Sequence, residues 1–141
     1  MTNAFEMDGV LAALKTVIEW AKSQSVFLQG ILFGMTVDHP NLTPKHLYRY
    51  DVCLASSVSL ECIEGTSKLK IPAMRYAVIN VSGDIHKVAT AWDYLYRDWP
   101  IHGAYEPERV PALEGFLDKQ GAMDWSHFEL ELCLPVRNRQ R

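Results

Sequence analysis

The stretch HFELELCLPV, from His127 to Val136, decides the fold of this chain. Its apolar and polar residues alternate with a period of two, which is typical of a β-strand with one buried face. Phe128 and every second residue after it are therefore expected to point into the core. Glu129, Glu131 and Cys133 are expected to point the other way, so one face of this strand carries two carboxylates beside a thiol.

An internal repeat relates this strand to an earlier one. The segment YRYDVCLAS (48–56) aligns with FELELCLPV, and Asp51 falls 80 positions before Glu131. The helical segments ALKTVIEWA (13–21) and AWDYLYRDW (91–99) align with an offset of 78 positions. Because two separate segments give nearly the same offset, the sequence predicts two duplicated halves. Each half is expected to be a strand-helix-strand-strand unit, so the predicted fold class is α+β, with the units around a pseudo-two-fold axis.

The periodicity of the apolar residues locates the other elements of both halves. Apolar spacing of three and four residues predicts amphipathic helices, and apolar runs flanked by turn residues predict strands. Pro100 is expected to end the second long helix, because proline cannot continue a helix interior. The predicted helices cover residues 7–23, 85–99 and 107–121, the predicted strands cover residues 28–38, 47–58, 74–83 and 127–136, and residues 39–44 form a turn-rich connector.

The first half has no counterpart of the strand that opens the second half at residues 74–83. The repeat places residue 1 near Ile79, so we expect the first strand to be missing. One edge of the sheet would then expose unpaired backbone groups. We expect a second subunit, forming a homodimer, or a rearranged N-terminus to cover that edge.

Composition indicates one globular domain, residues 1–136, followed by a basic, solvated tail, residues 137–141. The 141 residues carry a formal net charge of −3, which argues against a broad nucleic-acid-binding surface. No apolar run approaches the roughly 20 residues that a membrane-spanning helix needs. The three cysteines form no C-x-x-C pair, and their odd number favours reduced thiols in a cytoplasmic protein.

Four segments in a fixed order resemble the effector-binding domain of the GyrI-like superfamily. They are NLTPKHLYRYDVCLA, IPAMRYAVINVSGDIHKVATAWDYLYRDW, YEPERVPALEGFL and the closing ELCLPV. This domain is the ligand module of AraC- and MerR-type activators, and it also occurs alone in DNA gyrase inhibitor-like proteins. The resemblance implies two strand-helix-strand-strand units around a central cleft that takes lipophilic, often cationic, small molecules.

The resemblance also implies which residues form the binding site. A carboxylate on the last strand is the usual charge partner in the family, and Glu131 occupies that position. Rings around it would add cation–π attraction of about 0.5–2 kcal/mol each. We expect Glu129 to be solvated, whereas Asp51 either faces Glu131 in the cleft or pairs with Arg49 or Arg75. The predicted ligand-binding residues are Glu131, Trp99, Trp92, Tyr76, Phe116, Tyr105, Asp51 and Cys133, with Trp99 rather than Trp92 reaching the cleft.

Three functions fit these residues. We expect a standalone module that binds lipophilic cations as a sensor or sequestering protein, with a transcription regulator as its partner and no direct nucleic-acid or membrane contact. The first alternative is a hydrolase of electrophilic toxins, with Glu131 as general base and Tyr76 or Tyr105 as proton donor. The second is a gyrase inhibitor-like protein that acts on a macromolecular partner. The histidines lack metal-site spacing, and nucleotide and nucleophile motifs are missing, so we expect no metal and no cofactor.

Overall fold

Seven strands and two long helical segments make up the part of the chain that the computed structural model describes, namely residues 2–3, 7–36, 49–56, 65–71, 73–108 and 111–139. The predicted connector at residues 39–44 and the cysteine at position 62 lie outside that part. No helix within it is long and apolar enough to span a membrane. The strands are β1 (Thr2–Asn3), β2 (Ile31–Thr36), β3 (Arg49–Ala55), β4 (Tyr76–Gly83), β5 (Tyr105–Pro107), β6 (Ala112–Phe116) and β7 (Phe128–Asn138). The helices are α1 (Met7–Ser23) and a second segment formed by α2 (Ile85–Asp93), a π-helical turn (Tyr94–Asp98) and α3 (Trp99–His102).

Antiparallel pairing connects the strands in the order β1-β3-β2-β6-β7-β4, and β5 pairs with the end of β7 beyond β6. The long C-terminal strand therefore lies inside the sheet, between β6 and β4. Its alternate residues from Phe128 to Leu134 are buried, as the opening stretch of the sequence predicted. The α+β class is confirmed.

Both helical segments pack on the same face of the sheet, which we call the helix face. Leu132 of β7 is 0% exposed and belongs to one core cluster with Leu14 of α1 and Val88 of α2. The opposite face, which we call the open face, carries no helix in the described part of the chain. Because side chains alternate along a strand, the register assigns to the open face Phe33 and Met35 (β2), Asp51 and Cys53 (β3), Val78 and Asn80 (β4), Leu113 and Gly115 (β6), and Glu131 and Cys133 (β7).

The first strand is present, although the sequence led us to expect that it is missing. Thr2 and Asn3 form β1 and pair with Tyr50 and Arg49 of β3. Two residues are too few to show a period of two, so the sequence pattern could not reveal this strand. Beyond Tyr50, the outer edge of β3 has no strand partner among the residues that the structure describes.

The third predicted helix, at residues 107–121, is wrong. Residues Ala112–Phe116 form β6, which lies between β2 and β7 in the middle of the sheet. A short apolar run fits a helical turn or a buried strand equally well. Backbone hydrogen bonds to two neighbouring strands decide the outcome here, because they depend on contacts far away in the sequence.

The second helical segment begins where the sequence predicted but ends later. The Asp84 carboxylate caps it by accepting a hydrogen bond from the Lys87 N–H at 3.1 Å. The segment continues past Pro100 to His102, so the predicted end at Trp99 is wrong. The π-helical turn before Trp99 places the proline in the first turn of α3, where a missing N–H costs little.

The strand β7 extends two residues past Val136, because β5 supplies a partner for its end. Arg137, predicted as the start of a solvated tail, belongs to this strand. Its guanidinium donates to Glu106 at 2.9 Å and to Glu108 at 3.2 Å. Pro135 fits inside β7 because it faces the gap between β5 and β6, where its carbonyl accepts a hydrogen bond from the Glu108 N–H at 2.8 Å.

Candidate functional site

The carboxyl group of Glu114 lies on the helix face in the middle of the sheet, where the surrounding atoms shield it from solvent although the residue as a whole is only half-buried. Glu114 stands on β6 opposite Gly34 of β2 and Leu132 of β7. The indole N–H of Trp92 on α2 donates to Glu114 Oε2 at 2.7 Å. A hydrogen bond from the Tyr50 side chain reaches the same carboxyl group. These donors matter because a buried carboxylate without partners is costly.

Gly34 gives Tyr50 the room to reach Glu114. A Cβ added at Gly34 would lie 1.7 Å from the Tyr50 hydroxyl oxygen and 2.1 Å from the ring carbon Cζ. Tyr50 itself is buried and pairs with Thr36, two residues along β2 from Gly34. The missing side chain at Gly34 therefore allows the tyrosine ring to cross β2 toward β6.

Burial raises the pKa of the Glu114 carboxyl above its usual value, and the hydrogen bonds from Trp92 and Tyr50 offset only part of that rise. Such a carboxyl binds its proton more strongly in the folded state than in the unfolded state. Its contribution to stability is fully present below the unfolded pKa and is lost as the pH rises through the folded pKa. A cation beside the ionised carboxylate would counter that loss.

Glu114→Gln is expected to remove this part of the pH dependence of stability. The wild type should lose free energy of unfolding relative to the variant as the pH rises from about 5 to about 8, because only the wild type ionises a buried group. Urea unfolding of both proteins across that range measures the difference. Glu131→Gln is the matched control, and parallel pH curves for the wild type and Glu114→Gln would contradict the prediction.

The predicted carboxylates lie on the other side of the sheet from Glu114. Glu131 is half-buried on the open face, where the Cys133 thiol donates to its Oε1 at 3.6 Å. Asp51 lies on the same face, but on β3, which is three strands away from β7 in the sheet. At the usual spacing between neighbouring strands, the distance from β3 to β7 is about 14 Å. The alternative pairing of Asp51 with Arg75 is not formed, since the Arg75 guanidinium donates to the Tyr105 hydroxyl at 2.8 Å.

The predicted aromatic residues are divided between two places. Phe116 belongs to the core cluster on the helix face, Trp92, Trp99 and Tyr105 pack against that cluster, and Tyr76 lies on the open face. Trp92, expected to lie in the core, is the tryptophan that meets a carboxyl group. Trp99 instead stacks on Tyr105, with ring planes within 5° and centroids 6.3 Å apart. Phe116 is buried on the helix face, whereas Tyr76 lies on the open face, where burial and Cys133 raise its pKa.

Sequence reasoning missed Glu114 and Tyr50 as site residues. Glu114 belongs to the PALEGFL segment, for which the apolar spacing predicts a helix, so the pattern does not place its side chain on a strand face. A signal was nevertheless present. In a strand, Glu114 shares its face with Ala112 and Phe116, which are both buried. A carboxyl group between two buried apolar residues indicates either a partner or a function.

A second polar cluster lies at the start of β7. Glu129, which we expected to be merely solvated, accepts a hydrogen bond from the Ser82 hydroxyl at 2.6 Å and contacts the His127 ring nitrogen at 2.7 Å. These bonds lower the pKa of Glu129. The cluster borders a small depression that Phe116 and Phe128 also line. Glu129 therefore already has two hydrogen-bond partners within the protein.

The two described cysteines are free thiols. Burial raises the pKa of Cys53 to about 11 and that of Cys133 to about 12, with the charges of Asp51 and Glu131 adding to the rise. Only the thiolate is nucleophilic, so both are unreactive near neutral pH. Within the described residues, no group of three or more His, Cys, Asp or Glu side chains could hold a metal ion.

Comparison with known proteins connects this architecture to a family. The family model of the GyrI-like small molecule binding domain matches residues 2–137, which include both helical segments and nearly all of the sheet. The chain is also similar to the "SPbeta prophage-derived putative transcriptional regulator YosT" of Bacillus subtilis (strain 168), with 26% identity over 80 residues. The aligned part is 57% of this chain and 54% of that protein, so the chain spans about half the length of this curated relative.

Proposed function

Because this chain belongs to the GyrI-like small molecule binding domain family, we propose that it binds lipophilic cations, with the carboxylate of Glu114 as their charge partner. The observation that supports this proposal is the buried carboxyl group itself, held by Trp92 and Tyr50. Both of these donors are neutral. A ligand that brings a positive charge would therefore compensate the buried carboxylate better than a neutral ligand of the same shape.

The side chains around Glu114 suit a flat or lipophilic cation. The Trp92 and Tyr50 rings can each attract a cation by about 0.5–2 kcal/mol. Trp92 lies on α2, and its ring centroid is 5.7 Å from that of Tyr96 on the following turn. Rotation of the indole away from Glu114 would expose the carboxylate and replace an N–H···O bond with an ion pair. Apolar walls around one charge tolerate different ligand shapes, so we expect a broad ligand range.

The strand order supports a site between two related halves. Read inward from the two edges of the sheet, the strand order is β1-β3-β2 on one side and β4-β7-β6 on the other. In this comparison β1 corresponds to β4, β3 to β7 and β2 to β6. Apart from β5, which has no counterpart among the described strands of the first half, each half then has the sequence strand, helix, strand, strand, and we infer a pseudo-two-fold axis between β2 and β6. Glu114 on β6 faces Gly34 on β2 across this line. Glu114, the proposed charge partner, therefore lies where the two halves meet, in the position expected for a central cleft.

We infer a sensing or sequestering role in the cytoplasm, with a transcription regulator as the protein partner. The relative YosT is named as a putative transcriptional regulator, and free thiols suit a reducing compartment. We also propose that a second copy of the chain binds along the outer edge of β3 and forms a homodimer. Sedimentation velocity tests it, and a monomer at micromolar concentration would exclude that dimer.

A second candidate function is hydrolysis of an electrophilic toxin, and the raised pKa of Glu114 is the observation that favours it. A carboxyl group whose pKa is raised by burial is the type of group that acts as general acid or base near neutral pH. Turnover of a reactive alkylating agent that is lost in Glu114→Gln would support hydrolysis. Saturable binding that leaves the agent intact would support the binding module.

The proposed function predicts that a positive charge on the ligand raises its affinity when the ligand shape stays the same. Methyltriphenylphosphonium and triphenylphosphine oxide have similar shapes, but only the first is a cation. Calorimetry is expected to give the wild type at least about tenfold tighter binding of the cation, because an ion pair with a buried group is worth more than about 1.4 kcal/mol. In Glu114→Gln the two ligands are expected to bind with similar affinity, and Trp92 supplies a fluorescence signal for the same titration.

Glu131→Gln is the control for this experiment, because Glu131 was the anchor predicted from the sequence. The variant is expected to keep the preference for the cation, since Glu131 lies on the open face. Loss of the preference in Glu131→Gln, with Glu114→Gln unchanged, would move the charge partner to Glu131. Equal binding of both ligands by the wild type would overturn the proposal that the ligands are cations.

A further inference from the structure

The strand β4 forms one edge of the sheet, and this edge lacks the usual protection against strand pairing. β4 pairs with β7 over all eight residues from Tyr76 to Gly83, in one continuous register without a bulge. Its sequence YAVINVSG contains no charged residue and no proline. Charges, prolines and bulges are the features by which natural edge strands avoid pairing with another strand. Near the opposite edge, β3 carries Arg49 and Asp51 and is partly covered by β1.

The hydrogen-bond pattern determines which backbone groups of β4 point outward. The Val136 N–H donates to the Arg75 carbonyl at 3.0 Å, so Arg75 and every second residue after it bond to β7. No other strand in the described part of the chain pairs with β4. An added strand could therefore bond to four N–H groups and four carbonyls along the outer edge. These groups belong to Tyr76, Val78, Asn80 and Ser82.

The two faces of the sheet differ in polarity beside this edge. On the helix face, Val81 is buried in the core cluster, and Ala77 and Ile79 pack against that cluster. On the open face, Asn80 and Ser82 are polar and exposed. A strand added at the edge would place alternate side chains on the two faces. The edge therefore fits a strand whose apolar residues, directed to the helix face, alternate with polar ones.

A positive charge lies at each end of the edge, on the helix face. The Lys87 side chain lies on Gly83, where an added Cβ would meet the Lys87 Cε at 3.2 Å. At the other end, the Arg75 guanidinium donates to the neutral Tyr105 hydroxyl at 2.8 Å. Among the residues that the structure describes, neither cation forms an ion pair with a carboxylate. Acidic residues at the two ends of an added strand would compensate these charges.

The same two charges disfavour a second copy of the chain as the occupant of this edge. Antiparallel pairing of β4 with itself can use every outward backbone group in only one two-fold register. In that register Gly83 lies opposite Arg75 of the second copy. Lys87 would then meet a like charge at both ends of the interface, and like charges opposite each other destabilise strand pairing.

We propose that the outer edge of β4 binds an extended segment of a partner protein as an added antiparallel strand, with alternating apolar residues and an acidic residue at each end. Backbone hydrogen bonds supply the affinity, and the apolar side chains cover Ile79 and Val81 on the helix face. The acidic ends pair with Lys87 and Arg75. The proposal does not depend on small-molecule binding at Glu114, which lies two strands away on β6.

Three acetylated and amidated peptides test the strand pairing with the wild-type chain. The parent peptide is ETVTVTVTE, whose threonine backbone groups are expected to bond to β4 while its valines lie on the helix face. N-methylation of its two central threonines is expected to weaken binding at least about tenfold, because two hydrogen bonds are lost and two β4 carbonyls stay unpaired. N-methylation of its first two valines is expected to keep the affinity, because these N–H groups face away from β4. Calorimetry measures the three affinities, and amide chemical shifts should change most along β4.

A fourth peptide, KTVTVTVTK, tests the charges at the two ends. The wild type is expected to bind it about threefold to tenfold more weakly than ETVTVTVTE at low salt, because exposed ion pairs contribute modestly and are screened by salt. Lys87→Glu is expected to remove most of this preference. Lys15→Glu is the matched control, since Lys15 is an exposed lysine on α1, and it should keep the preference.

Three results would overturn the proposal. The first is the absence of measurable binding of ETVTVTVTE at millimolar concentration. The second is equal affinity of this peptide and its derivative methylated at the threonines. The third is a dimer in sedimentation experiments that Val78→Pro dissociates, because the edge would then belong to a second copy. The Val78 N–H points outward, so this proline removes no hydrogen bond to β7.

Discussion

Gly34→Ala is expected to lower the free energy of unfolding by about 2–3 kcal/mol, because the new methyl group has no room. Its Cβ would lie 1.7 Å from the Tyr50 hydroxyl oxygen, and Tyr50 is buried, so the ring cannot simply move into solvent. Displacement of the ring also removes the Tyr50 hydrogen bond to Glu114. Urea denaturation measures the loss of stability, and the same variant should bind lipophilic cations with altered affinity.

Gly115→Ala is the matched control for this prediction, because Gly115 is also a mid-strand glycine, one strand away on the opposite face. The added Cβ would lie 3.6 Å from the Glu131 Cβ, which is an ordinary van der Waals contact. We expect stability to stay the same or to rise by about 0.5–1 kcal/mol, because alanine restricts the unfolded chain. Equal destabilisation by both substitutions would indicate that Tyr50 is not the cause.

Lys119→Met is expected to lower the free energy of unfolding by about 2–3 kcal/mol, because hydrogen bonds from a charged donor are among the strongest. The Lys119 ammonium donates to three backbone carbonyls, those of Phe27 at 2.7 Å and of Leu28 and Gly30 at 2.8 Å. It thereby ties the loop after β6 to the loop between α1 and β2. Methionine keeps the apolar stem but leaves these carbonyls without that donor.

Lys22→Met provides the comparison, because both lysines lie over the Phe27 ring. The Lys22 ammonium is 5.1 Å from the ring centroid and that of Lys119 is 5.5 Å away, but Lys22 is exposed on the last turn of α1. We expect Lys22→Met to change stability by less than about 1 kcal/mol. If both variants lose the same stability, the cation–π contact holds the two loops together, rather than the hydrogen bonds from Lys119 to the three backbone carbonyls.

The structure places on opposite faces of the sheet two chemical environments that the sequence predicts as one site. On the helix face, Glu114 is buried and contacts aromatic side chains, which suits a single lipophilic cation. On the open face, Asp51 and Glu131 are half-buried, as Glu114 is, but they lie close to the Cys53 and Cys133 thiols rather than to aromatic donors. The variants Glu114→Gln and Glu131→Gln distinguish the two environments in the small-molecule calorimetry described above, because each substitution removes one charge from one face.

Local periodicity by itself determined the fold class, the span of α1 and the buried side of β7. A period of two or of 3.6 residues depends only on which neighbouring side chains are apolar, so Met7–Ser23 and the alternation after Phe128 could be predicted directly. The capping role of Asp84 follows from the same kind of short-range hydrogen bond. Such features do not require knowledge of the partners that lie far away in the chain.

The tertiary structure alone decided that β1 and β6 are strands and on which face of the sheet each carboxyl group lies. The PALEGFL segment becomes a strand because β2 and β7 hydrogen-bond to it from both sides, and Thr2–Asn3 become a strand because β3 provides an edge. The burial of Glu114 depends in turn on that pairing and on the approach of Trp92 from α2. Strand pairing and helix packing are long-range contacts, so a single sequence could name candidate carboxylates but could not place Glu114 and Glu131 on opposite faces.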